Sequence, residues 1–156
     1  MRIMTWNVHG IFQLNPGFDL DGVCSIIRHW SPDVVALQEV DSRGRADDPF
    51  ALLAKAVGDH SVDARSIVTE DGDSGQVLLS RWPFRSSEIH DISVPTCEPR
   101  RAIVATVQTT SVDPSIRIVS YSGNARLWRF EAGVQERAVA EAFPLPFQMT
   151  LKRTAR

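Results

Sequence analysis

The first eight residues alternate as a strand does. Met4, Trp6 and Val8 fall on one face of an extended chain, and Ile3, Thr5 and Asn7 on the other. Both faces carry apolar residues, which predicts a strand over 2–8 covered on both sides. Gly10, Pro16 and Gly17 then break the pattern. Leu20, Val23, Cys24, Ile27 and Trp30 recur at helical spacing, with Asp19 or Asp21 as the cap and Ser31-Pro32 as the stop. Residues 33–38 read as a short buried strand. A second helix starts at Asp48, with Pro49 at its first position and Phe50, Leu53, Ala54 and Val57 on its apolar face, and Gly58 ends it.

From residue 61 the texture changes. The runs 61–69, 76–80, 86–94, 100–109 and 115–121 are strand-like, and "EDGDSG", "RWPF", "TCEP" and "SVDP" punctuate them as turns, predicting a five-stranded meander. A helix is expected over 127–143, with Leu127, Phe130, Val134 and Ala138 on one face. Pro144 and Pro146 end it, and an unpatterned basic tail over 144–156 follows. Strand, helix, strand, helix and then strands describe a layered α/β domain.

Composition narrows the class without changing that picture. The 156 residues suffice for one domain with a real core, and 43% apolar with 23% charged content is ordinary for a soluble globular chain. A net charge of -2 argues against a whole-protein electrostatic grip on nucleic acid, though not against a local basic groove. Cys24 and Cys97 have no metal-ligand spacing and read as reduced, packed thiols. No apolar run is long enough to span a bilayer, and no secretory leader is visible, which makes a cytoplasmic address the expectation.

The candidate chemistry sits at strand ends. Glu39 closes a buried strand, a common way to aim a carboxylate at a hard cation, although an exposed acid can also simply end a strand. Asn7 closes the first strand, where an amide can contact phosphate or a neighbouring side chain, or start a turn. His9 follows, as a ligand or as a packed or solvated histidine. "TWNVHG" (5–10), "PDVVALQEVD" (32–41), "GQVLLSRWPF" (75–84) and "EPRRAIVATV" (98–107) resemble, in order and spacing, the endonuclease/exonuclease/phosphatase superfamily of metal-dependent phosphoesterases. The resemblance covers roughly residues 1–142 and implies a two-sheet sandwich with helices on its outer faces and a site at one edge. It implies that Glu39 and Asn7 hold Mg²⁺ or Mn²⁺, and that the substrate is a phosphorylated small molecule, a lipid headgroup or a nucleic acid. His9 stands where some nuclease members carry Asp. Ser80 and Arg81 match a motif read as structural. Arg100 and Arg101 are candidates for phosphate contact or for edge salt bridges.

The chain also departs from the pattern. The position of the family's Thr-His-Leu histidine falls on Asn124 or Ser122, depending on whether it is counted back from Glu131 and Gln135 or forward along the strand. Tyr121 and Asn124 resemble a Tyr-x-Pro-Asn segment of the apurinic-endonuclease branch, where both touch phosphate. The Gly-Asp-Phe-Asn and Ser-Asp-His segments do not occur. The expected domain is therefore a sandwich over 1–143, incomplete at its C-terminus. Its expected function is metal-dependent phosphoester hydrolysis by a shortened, weakly active or inactive member. The alternatives are a non-enzymatic remnant that binds or dimerises through an exposed sheet, and an apurinic-endonuclease-like repair nuclease.

Overall fold

The computed structural model describes residues 1–10, 19–109 and 116–121, all within the compact unit Met1–Gly123. The helix expected over 127–143, the tail, Ser122 and Asn124 lie outside the described residues. The elements are β1 (Ile3–Asn7), α1 (Leu20–Trp30), β2 (Val34–Asp41), α2 (Pro49–Val57), β3 (His60–Thr69), β4 (Gly72–Ser80), β5 (Phe84–Asp91), β6 (Arg101–Val107) and β7 (Ile116–Tyr121).

They form two sheets, ordered β1-β2-β4-β3 and β5-β6-β7. β1 and β2 are parallel and every other pairing is antiparallel. The expected single meander is thus divided: β3 and β4 complete the first sheet, and β5 to β7 make the second. The order within the first sheet puts β4 beside β2, so the hairpin β3–β4 is closed onto the parallel pair by its second strand.

Both helices begin at side-chain caps. Asp19 is extended and its carboxylate accepts from the Gly22 N–H; Asp48 does the same for Phe50 N–H ahead of Pro49. Ser31, in the left-handed region, ends α1 by donating its N–H to Ile27 O. Leu20, Val23, Cys24 and Ile27 are buried, and burial pushes the Cys24 thiol pKa up. Trp30, expected on that face, is 61% exposed. At about 100° per residue it lies roughly 70° from the centre of the stripe the other four define, and so falls on its flank.

α1 and α2 cover one face of the first sheet. Val35, Leu37 and Val40 of β2 and Val77 and Leu79 of β4 meet the two helices there, with Met4, Trp6 and Val8 alongside. The opposite face turns Val34, Ala36, Ala64 and Leu78 towards Ile103, Ala105 and Val107 of the second sheet. β2 and β4 are therefore buried on both sides, which is why they read as continuous apolar runs. Each fully buried Leu or Val in these layers contributes about 1.5–3 kcal/mol. β1 corrects the expectation of two covered faces. It is an edge strand, and Ile3 and Thr5 on its second face are exposed, because the second sheet lies over β3 and β4.

Candidate active site

Strict alternation along β2 would send Glu39 into the helix-covered core with Val35 and Leu37. It does not go there. The register between β2 and β4 shifts between Leu37 and Val40, and Glu39 takes φ +57°. This bulge inserts one residue, so that Val40 returns to the core and Glu39 is turned towards β1. The strand expected to end at residue 38 in fact continues to Asp41, and Glu39 lies within it.

Asn7, the last residue of β1, pairs with Gln38 in register. Its Nδ2 donates to Glu39 Oε1 at 2.8 Å. Its Oδ1 accepts from the His9 N–H at 3.0 Å, closing a side-chain-to-backbone turn. His9, at φ +49°, lays Nδ1 3.1 Å from Glu39 Oε2. An ionised carboxylate only accepts, so this contact places a proton on Nδ1. Val8 N–H to Gln38 O and Gly10 N–H to Glu39 O hold the two backbones together beyond the ladder. Two adjacent non-glycine residues in the left-handed region are costly, and such strain concentrates at functional sites.

Asn7, His9 and Glu39 thus form one ring of contacts. Its carboxylate is three-quarters buried, and among the described residues no lysine or arginine pairs with it. Each Glu39 oxygen accepts one hydrogen bond and retains lone-pair capacity, as does Asn7 Oδ1. These oxygen donors suit a hard divalent ion such as Mg²⁺ that keeps most of its waters. Among the described residues no cluster of three or more His, Cys, Asp or Glu is built to hold a metal. The donor set fits a hydrated, weakly held ion.

The neighbouring rim is paired within itself. Asp41, 1% exposed, receives Arg43 Nε and Nη2 in a fork and also the Arg43 N–H, which raises the Arg43 pKa. Arg45 forks onto Asp47. Arg100 pairs with Glu98 and Arg101 with Asp91. The two candidate phosphate arginines are therefore salt-bridged at the opening of β6. Ser80 Oγ accepts from Trp82 N–H, and Arg81 binds Asp33 at the opposite end of the sheet, in keeping with a structural motif.

Tyr121 ends β7 opposite Ala102. Alternation puts its side chain on the face away from Ile118 and the interlayer core, 39% exposed. It shares the Glu39 end of the sandwich but arrives on a different surface from the Asn7–His9–Glu39 ring. Asn124 lies outside the described residues.

The Endonuclease/Exonuclease/phosphatase family matches residues 4–148. The chain belongs to that family. Its sheets and flanking helices are the family's layered α/β sandwich, and enzymes of the family are generally dependent on a divalent metal. It is similar to the uncharacterised protein YbhP of Escherichia coli K12, at 25% identity over 129 residues, covering 76% of this chain and 51% of YbhP. The chain thus spans about half the length of the curated relatives it matches. Among solved structures it resembles an endonuclease/exonuclease/phosphatase from Beutenbergia cavernae, with a TM-score of 0.67 and 22% identity over 88% of this chain and 41% of the other. It also resembles D. rerio TDP2 complexed with single-strand DNA product, with a TM-score of 0.60 and 24% identity over 90% of this chain and 53% of that one. Membership supports phosphoester hydrolysis at the level of the family. No helix among the described residues is long and apolar enough to cross a membrane.

Proposed function

We propose that these residues carry the cation-binding half of a phosphoesterase site, and that hydrolysis by this chain is slow. The observation behind this reading is the 2.8 Å contact that joins Asn7 to Glu39 across the ends of β1 and β2. In this reading Glu39 and the Asn7 carbonyl hold Mg²⁺ or Mn²⁺. A bound ion of this kind neutralises charge on the scissile phosphate and the leaving oxygen. The Asn7 amide fixes one Glu39 oxygen and the His9 Nδ1–H the other, so the carboxylate faces the mouth without reorganising. One carboxylate gives little affinity for a strongly hydrated ion, hence the expectation of weak binding and slow turnover.

A small phosphoester or lipid headgroup is favoured over nucleic acid. Arg43, Arg45, Arg100 and Arg101 are each matched by a neighbouring acid, so the rim formed by the described residues offers little net positive charge to a polyanion. D. rerio TDP2, which is described with single-strand DNA product, keeps the second reading open. The test is Mg²⁺-dependent hydrolysis of bis(p-nitrophenyl) phosphate and p-nitrophenyl phosphate by wild type and Glu39→Gln. Hydrolysis that needs Mg²⁺ and disappears in Glu39→Gln is the expected outcome. Activity that persists in the variant sinks the assignment, and no activity in either protein favours the non-enzymatic remnant. A single-stranded oligonucleotide assayed against salt separates the two substrate classes, since only the polyanion should show a steep salt slope.

A further inference from the structure

We propose that Gln76 is a positioning residue that locks the rim of the second sheet against the Glu39 bulge. The inference rests on the phosphoesterase reading for its catalytic consequence and on the geometry alone for its structural one. Gln76 lies on β4 between Gly75, which pairs with Val40, and Val77, which pairs with Leu37. It therefore stands opposite the two residues of the bulge, Gln38 and Glu39. It shares a strand face with Leu78, the face that looks at the second sheet, and is 4% exposed.

From there its Nε2 donates to two backbone carbonyls of the other sheet, Arg101 O at the start of β6 and Ser120 O, at 3.5 Å, at the end of β7. These are neighbouring strands whose ends meet through the Ala102–Tyr121 pair. One amide thus ties both strand ends that carry the second rim, Glu98–Arg101 and Ser120–Tyr121, to the strand beside Glu39. Its orientation is dictated, because turning the amide over would set Oε1 against a carbonyl oxygen. In the surrounding apolar interlayer, residues such as Leu78, Ile103 and Ala105 set the spacing of the sheets. They do not set the register of one rim against the other, since dispersion contacts have no direction. A buried amide with two acceptors has one geometry. Two buried polar atoms without a hydrogen-bond partner among the described residues, Gln76 Oε1 and Ser120 Oγ, belong to the same two residues. An apolar residue of the same volume would avoid the cost of burying them, so the amide at this position has a use beyond filling space.

The test compares wild type with Gln76→Met, which keeps the volume and loses both donors, and Gln76→Glu, which keeps the shape but faces the carbonyls with oxygen. Ser120→Ala is the control, because it keeps the accepting carbonyl. Amide hydrogen exchange at Arg101–Ile103 and Ser120–Tyr121 should rise on the order of tenfold in Gln76→Met and at least as much in Gln76→Glu. β1, β2 and the Ser120→Ala protein should stay at wild-type rates. A uniform rise over both sheets, or no rise in Gln76→Met, overturns the proposal. In the bis(p-nitrophenyl) phosphate assay, Gln76→Met should raise KM about tenfold while the Mg²⁺ concentration for half-maximal rate is unchanged, because Asn7 and Glu39 stand on the other sheet. Equal losses in both quantities would mean general loosening and reject the positioning role. If wild type does not hydrolyse the diester, the phosphoesterase reading fails by itself, and the exchange pattern still decides whether Gln76 locks the rims.

Discussion

Three acids lie on or beside β2, and their surroundings differ. Asp33, just before the strand, is 14% exposed at its side chain and takes Arg81 Nη1 at 3.1 Å and the Arg2 N–H at 2.7 Å. Asp41, at the far end, is buried under the fork of Arg43. Glu39, two residues earlier, is held by an amide and an imidazole. The first two carboxylates have a fixed cation and hold the fold together. The third is oriented by an amide and an imidazole, with no lysine or arginine beside it among the described residues, which is the arrangement the proposed cation site calls for. Position on a strand does not separate these roles, whereas the partner does.

That contrast can be broken most forcefully at Asp41. Asp41→Asn removes the charge facing Arg43, and losing one member of a buried pair costs about 3–5 kcal/mol. Arg43 retains some exposure, so the low end of that range is expected. Glu39→Gln should change stability by no more than about 0.5 kcal/mol while removing Mg²⁺ dependence. Urea unfolding followed by tryptophan fluorescence measures both. Equal destabilisation by the two substitutions would mean that Glu39 is a structural acid like its neighbour.

The Glu39 end also depends on close backbone approach. Gly75 sits between the β2 bulge and a second register shift on β3 between Arg65 and Ile67. A Cβ there would overlap the Ala64 carbonyl oxygen and lie 2.8 Å from Arg65 Cα. These are backbone atoms that cannot step aside, so Gly75→Ala is expected near the upper end of about 1–3 kcal/mol. Faster exchange around both bulges, with the Arg2–Asp33 region unaffected, is the matching local signature. A neutral Gly75→Ala would show that the crowded geometry is not needed.

This end of the sheet was only partly legible in the sequence. "GDSG" has turn chemistry and reads as punctuation, yet β4 begins at Gly72, and Gly75 marks the place where another strand presses in. The bulge leaves a trace in the spacing of Val35, Leu37 and Val40, where a step of two gives way to a step of three, but the apolar run by itself predicts a strand that stops before it. The cap Asp48 is readable in the sequence, and Asp19 as one of two candidates beside Asp21, because capping is local. The partition of five strands between two sheets was not, because antiparallel runs look alike whichever sheet they join. Asn7 and Glu39 were paired by their motifs. The surface on which Tyr121 lies followed only from its register with Ala102.

A smaller effect is expected at the N-terminus of α2. Asp48 caps the helix, and Arg65 Nη2 approaches its other oxygen at 3.5 Å while Arg65 stacks over Phe50. Asp48→Ala should cost about 1 kcal/mol, the usual loss for a cap. It should leave Mg²⁺ dependence intact, because the cap lies outside the ring of Asn7, His9 and Glu39. A cation-binding defect in this variant would extend the site beyond the ring and blur the contrast with Asp41.

The smallest expected effect is acid sensitivity at Asp91, an exposed acid that, like Asp33, has a fixed arginine. The Ser93 hydroxyl and N–H hold its carboxyl below the usual range, with Arg101 adding to the shift. The group binds its proton more weakly in the folded chain than in the unfolded one. Its contribution is therefore complete above the unfolded value of about 3.9 and is lost as the pH falls through the folded value. The carboxylate is well exposed, so salt screens the Arg101 contact and the total is held to about 0.5 kcal/mol or less. Asp91→Asn should then fall slightly below wild type in urea midpoint at pH 6, and the gap should narrow towards pH 2 as the carboxyl takes up its proton. An equal gap at both values would assign the loss to the hydrogen bonds of Ser93 and not to the charge. That would remove Asp91 from the class of acids whose role is set by a fixed cation.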